Sequence, residues 1–173
     1  MVVVFQSLFV LGGLIILILL AFRMKGEKAV INMPENYKEL LEDYVQFYRQ
    51  LDEADKRLFE KRVEKFLIDV KITGVNAEVE DIDRLLIAAG AIIPVFIFFD
   101  WEYINLQEIL LYPGSFNEEF DQAGTDRYIA GMVGTGAMQH KMILTKWQLR
   151  QGFINNNDTH NTAIHEFVHL VDK

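Results

Sequence analysis

From Val2 to Phe22 the chain carries no charged side chain; Val, Leu, Ile and Phe dominate, interrupted only by Gln6, Ser7, Gly12, Gly13 and Ala21. At about 1.5 Å of rise per residue, roughly 20 such residues cross a hydrocarbon layer of about 30 Å, so the pattern predicts a transmembrane helix over residues 1–23. A cleaved signal peptide is the rival reading, but no basic stretch precedes the apolar run and no small-x-small cleavage pattern follows it. Arg23, Lys25 and Lys28 come directly after the segment. Positive charge on the cytoplasmic side then places the following domain in the cytoplasm, as part of a single-pass cell-membrane protein. Residues 24–36 read as a juxtamembrane linker and residues 37–173 as the folded domain.

Past the linker the apolar period changes to that of amphipathic helices. Pro34 suits a first helical turn, and Tyr37, Leu40, Leu41, Tyr44, Phe47, Tyr48 and Leu51 follow at steps of three and four, which predicts one helix. Asp52 is placed to cap a second helix, whose stripe is Leu58, Phe59, Val63, Phe66, Leu67 and Val70 and which Gly74 should end. The charges along it, Glu60, Lys61, Arg62 and Glu64, read as a solvated face. A third helix is predicted from Val79 to about Ile92. The uncharged run Leu85–Phe99 (LLIAAGAIIPVFIFF) is too short to span a bilayer and contains Pro94. It reads as a buried helix running into a strand or turn, with a re-entrant segment as the alternative.

Beyond Asp100, Ile109 to Tyr112 form a short apolar run stopped by Pro113 and Gly114, as a strand would be. Gly124, Gly131, Gly134 and Gly136 lie in a polar stretch that reads as a loop or hairpin, and Met142 to Thr145 are a second candidate strand. The piece GMVGTG lacks the Lys-Ser/Thr ending of a phosphate loop. Helices first, then strands, then a final helix predict an α+β domain.

Composition narrows the chemistry. The 173 residues include no cysteine, so disulfide scaffolds, thiolate metal sites and cysteine nucleophiles are excluded, and any metal must rest on His, Asp or Glu. With 25 acidic against 17 basic residues and a formal net charge of -8, nucleic acid is not the expected partner.

The chemistry sits at the end of the chain. A last helix capped by Asp158 or Thr159 contains His165-Glu166-Phe167-Val168-His169, an H-E-x-x-H string. Four residues turn a helix by about 400°, so the two imidazoles leave one face a turn apart and can close on one metal ion, with zinc the natural guest. Glu166 lies about 100° round from His165, within reach of a water at the metal, where it can act as general base. The uncharged surroundings suit a helix buried behind such a site. The competing reading is two histidines that merely fall at this spacing. Asp172 shares their face and can hold an imidazole N–H or stand free as a surface acid. His160 and His140 read as ordinary exposed histidines, with a substrate-side role for His140 the lesser alternative.

The HEFVHLVD string, the preceding NTAI, LLIAAGAIIP (Leu85–Pro94), NLQEILLYPGSF (Asn105–Phe116) and ILTKWQLRQG (Ile143–Gly152) together resemble the Mlc titration factor A family of zinc metallopeptidases. The order and spacing of these pieces cover most of residues 37–173. The resemblance implies a zincin-like α+β fold, zinc on His165 and His169, Glu166 as general base, and a third ligand, a Glu on a helix further downstream. It also implies a peptide or protein substrate. Lys173 follows the second histidine closely, so the third ligand falls beyond it and a C-terminally truncated peptidase is expected. The N-terminal membrane anchor is a second departure from the soluble members. Met142–Thr145 is expected to pair with extended substrate as a sheet edge. The alternative function is a non-catalytic, membrane-tethered protein of the same fold that binds a regulatory protein partner; an inert tethered scaffold with structural histidines is the third reading.

Overall fold

In the computed structural model the residues described are 33–114, 131–133, 140–154 and 161–171, all within the unit Ile31–Lys173. The expected membrane segment, most of the linker, His160 and Asp172 lie outside them. Among the described residues no helix is long and apolar enough to cross a membrane.

The apolar stripe after Pro34 forms α1 (Tyr37–Tyr44) and α2 (Gln46–Arg49), not one helix. The break is at Val45, whose backbone is extended (φ -110, ψ 95). Val45, four residues after Leu41 and three before Tyr48, is buried with them at 1% exposed. Arg49 donates from Nη1 to the carbonyls of Glu42 (2.7 Å) and Asp43 (3.0 Å), pairing groups at the opened end of α1.

Asp52 caps α3 (Glu53–Asp69) as expected, its Oδ1 accepting from the backbone N–H of Ala54 at 2.8 Å and Asp55 at 2.9 Å. Two of its charges are not merely solvated. Glu60 accepts from Tyr37 (3.0 Å) and Tyr48 (2.6 Å), tying α1 and α2 to α3. Arg62 donates to the carbonyls of Val95 (3.1 Å) and Phe96 (2.9 Å). Lys61 and Glu64 remain exposed. The helix stops at Asp69, earlier than Gly74, because Val70 is already extended and Lys71–Gly74 form strand β1. Val70 and Ile72 are buried while Lys71 is exposed, the two-residue alternation of a strand.

Helix α4 (Asp81–Ile92) begins with Asp83 Oδ2 accepting from the Glu80 N–H at 3.0 Å, and every residue from Leu85 to Ile92 is buried. A helix apolar on all sides belongs in the middle of a domain. Pro94 lies in the short 3-10 turn Ile93–Val95 that follows, as the run-out into a turn predicted.

Strands β2 (Glu108–Tyr112), β3 (Gly131–Val133) and β4 (Lys141–Thr145) join β1 in one sheet of order β1-β2-β4-β3. The β1–β2 and β2–β4 pairs are parallel and β3–β4 is antiparallel. Strands therefore start at Lys71, before Asp100, and α4 is a crossover between parallel neighbours, which a strand that follows its predecessor in parallel requires. The domain is a mixed helix and strand unit compatible with α+β. β4 lies between β2 and β3 with Met142 to Thr145 buried, so it is not the sheet edge expected. It passes from Thr145 directly into helix α5 (Lys146–Ile154), which the apolar spacing did not announce. Helix α6 (Thr162–Val171) packs against α4, α5, β3 and the 3-10 turn.

Candidate metal centre

The start of α6 is set by Asn161. Its Oδ1 accepts from the Ile164 N–H at 3.1 Å and its carbonyl accepts from the His165 N–H at 2.9 Å. The cap is thus Asn161; Asp158 and Thr159 lie outside the described residues. Ala163 and Phe167 form the buried face. Gly90 of α4 allows the approach, since a Cβ there would stand 3.2 Å from the Ala163 Cβ. Phe167 meets Phe66 edge-on at 5.7 Å between centroids and Tyr103 at 5.4 Å. With that face fixed, His165 and His169 are left exposed on the other side.

The two imidazoles converge. Their Nε2 atoms are 3.0 Å apart, and the rings stand at 82° with centroids 4.5 Å apart. Two metal–nitrogen bonds of about 2.0–2.1 Å at a tetrahedral angle require nitrogens roughly 3.3 Å apart, so the pair fits a single small cation with a minor opening. Neutral imidazole nitrogens are the right donor class for zinc. Among the described residues no group of three His, Asp or Glu converges, so no third donor joins the pair there.

Glu166, next to the first histidine, is half-buried. Burial raises the pKa of its carboxyl above the ordinary glutamate value, and the nearby His165 and His169 partly oppose this. A carboxylate held above its usual pKa beside two convergent imidazoles is suited to accept a proton and return it.

His140 does not join them in a metal-binding group. It lies just before β4 with a left-handed backbone (φ 66). Its Nδ1 is 2.9 Å from the Asn105 carbonyl, and its own carbonyl accepts from Gln107 at 2.8 Å. It closes the β2–β4 end of the sheet, a joint invisible in the one-dimensional pattern. Sequence reasoning also missed the contacts that seat α6 on α5: Asn161 Nδ2 donates to the Gly152 carbonyl (3.0 Å) and Thr162 Oγ1 to Gln148 Oε1 (3.2 Å). An Asn at the end of the Asp158-Thr159-His160-Asn161 string, in which three residues are of types that suit a cap, was the available signal.

A helix that turns two histidines toward one point beside a half-buried glutamate has the donors to hold a metal ion, and comparison with known proteins gives the class. Residues 22–173 match the family described as glucose-regulated metallo-peptidase M90, and the chain belongs to that family. The metallopeptidase resemblance read from the sequence is borne out at that level. The chain is also 30% identical over 159 residues to the uncharacterized protein slr2042 of Synechocystis sp., covering 81% of this chain and 53% of that protein. It spans about half the length of this relative.

Proposed function

We propose that the protein is a zinc-dependent peptidase in which His165 and His169 hold the metal and Glu166 is the general base. The observation that supports this most directly is the approach of the two Nε2 atoms to 3.0 Å on the exposed face of α6. Zinc held by His165 and His169 would supply Lewis-acid chemistry toward a scissile carbonyl and a water. Glu166 takes a proton from the attacking water onto its carboxylate and later delivers it to the leaving amine nitrogen, so the enzyme ends each cycle as it began.

The substrate in this reading is an extended peptide. β3 is an edge of the sheet among the described residues and packs beside α6, so its open side is the place for a peptide to add as a further strand. The uncharged stretch Val2–Phe22, followed by Arg23, Lys25 and Lys28, supports single-pass anchoring in the cell membrane with the domain in the cytoplasm.

Glu166→Gln in the full-length protein tests the mechanism. Hydrolysis of a peptide library should fall about a thousandfold, within the range a general base contributes, while bound zinc stays unchanged. Retained hydrolysis removes Glu166 from the mechanism. A wild-type protein that holds zinc yet cleaves nothing favours binding of a regulatory partner instead.

A further inference from the structure

Helix α6 reaches the described body of the domain from residues 155–160, and what fixes its start is a set of side-chain and backbone contacts. Asn161 makes three of them at once. Its carbonyl accepts from His165 N–H, its Oδ1 accepts from Ile164 N–H, and its Nδ2 donates to the Gly152 carbonyl at 3.0 Å. The first two hold the first turn of α6, including the backbone of the first histidine. The third fastens that turn to α5.

Helix α5 is itself held on two sides. It continues β4 without an intervening residue, with Thr145 at the joint 1% exposed. Its Arg150 donates from Nε to Asp83 of α4 at 2.7 Å, and Lys146 Nζ stands 3.2 Å from the same carboxylate, which is 0% exposed. A contact to α5 is therefore a contact to the sheet and to α4. Gly152 is shaped for it: a Cβ there would lie 3.0 Å from Asn161 Cγ and 3.1 Å from its Cα. Glycine in the interior of a helix is otherwise unfavourable, so the close approach of Asn161 is the reason for it.

We propose that Asn161, seated against Gly152, is a positioning residue that fixes the height and rotation of the metal helix and so aims the His165–His169 pair. Asn161 touches neither metal nor substrate; it acts through the first turn of α6. The proposal rests on the metal reading above and adds to it the element that sets the geometry.

Three variants of the full-length protein test it, each with zinc affinity measured by competition against a chromogenic chelator and with a thermal melt alongside. Asn161→Ser keeps a capping oxygen and loses the donor to Gly152. Its melting temperature should fall by a few degrees at most, the cost of one lost hydrogen bond, while zinc affinity measured well below the melt, where every molecule is folded, should fall about fivefold because the pair is no longer held in aim. Asn161→Asp keeps the cap but sets a carboxylate against the Gly152 carbonyl, so its affinity should fall further than that of the Ser variant. Gly152→Ala favours helix α5 but displaces Asn161; it should weaken zinc binding without lowering the melting temperature. A purely structural role predicts the opposite pattern, with zinc affinity changing only in step with stability. Wild-type zinc affinity in Asn161→Ser and Gly152→Ala overturns the proposal and leaves the metal reading intact. A wild-type protein that takes up no zinc defeats the metal reading, and the positioning role with it.

Discussion

Glu166 shows how one side chain is tuned by where its helix puts it. Burial raises its pKa, and the histidines on either side only partly offset that. In the metal-free protein the carboxyl should therefore titrate above the ordinary glutamate range; an NMR titration that puts it at or below that range contradicts its burial. Glu108 is tuned the other way. Lys141 and Thr73 bond its carboxylate and lower its pKa from 4.5 to about 2, against a smaller opposing effect of burial. A folded-state pKa below the unfolded value stabilises the fold above the unfolded pKa and loses that contribution as pH falls through the folded one. Glu108→Gln should therefore lower the melting temperature by a few degrees at neutral pH, with the gap from wild type closing between about pH 4.5 and pH 2. An unchanging gap across that range shows that the effect is packing and not ionisation.

At the scale of elements, Phe167 joins α6 to α3 and to the stretch after the 3-10 turn through Phe66 and Tyr103. Phe167→Ala should cost about 3–5 kcal/mol in a denaturant melt, the range for emptying a large aromatic site, although both histidines remain. A cost below about 1 kcal/mol contradicts the burial of that face. Such contacts also explain which elements the sequence announces. The H-E-x-x-H face, the Asp52 cap, α4 and the strands at Ile109 and Met142 rest on local spacing, and local spacing shows them. β1 is hidden because Val70 fits both the helical stripe before it and the alternation after it. α5 is hidden because Trp147 is exposed, Gly152 reads in the sequence as a helix breaker, and its buried residues are only Leu149 and Phe153. The break at Val45 is hidden because Tyr44, Phe47, Tyr48 and Leu51 keep helical spacing across it. Glu60 and Arg62 look like solvent residues until α1 and the turn after α4 close over them. In the candidate site, the histidine pair was legible and its mounting was not, since Gly152 and Asn161 are related only in space.

For the whole molecule, the proposed metal site couples binding to folding. Zinc that binds the folded pair and not the unfolded chain stabilises the fold by about 2.7 kcal/mol when free zinc is a hundred times its dissociation constant. Titrating zinc into the full-length protein should raise its melting temperature, and a chelator should reverse the rise; a melt indifferent to both counts against the site. The anchoring proposal has its own check. Alkaline carbonate should leave the protein in the membrane pellet, and deletion of residues 2–22 should release it. The parallel pairs of the sheet have a further consequence, for the order in which the molecule comes together. Lys71 meets Glu108 and Glu108 meets Lys141, so β1, β2 and β4 each wait for a partner from a distant stretch of chain. Contacts of this kind form late compared with local helices. On the ribosome α6 emerges after the elements that hold it, and as an isolated segment of 10 residues it is too short to be stably helical. The imidazole pair is thus assembled late, on elements already made: the emerging helix by itself offers no preformed pair, and any metal bound there would wait for folding.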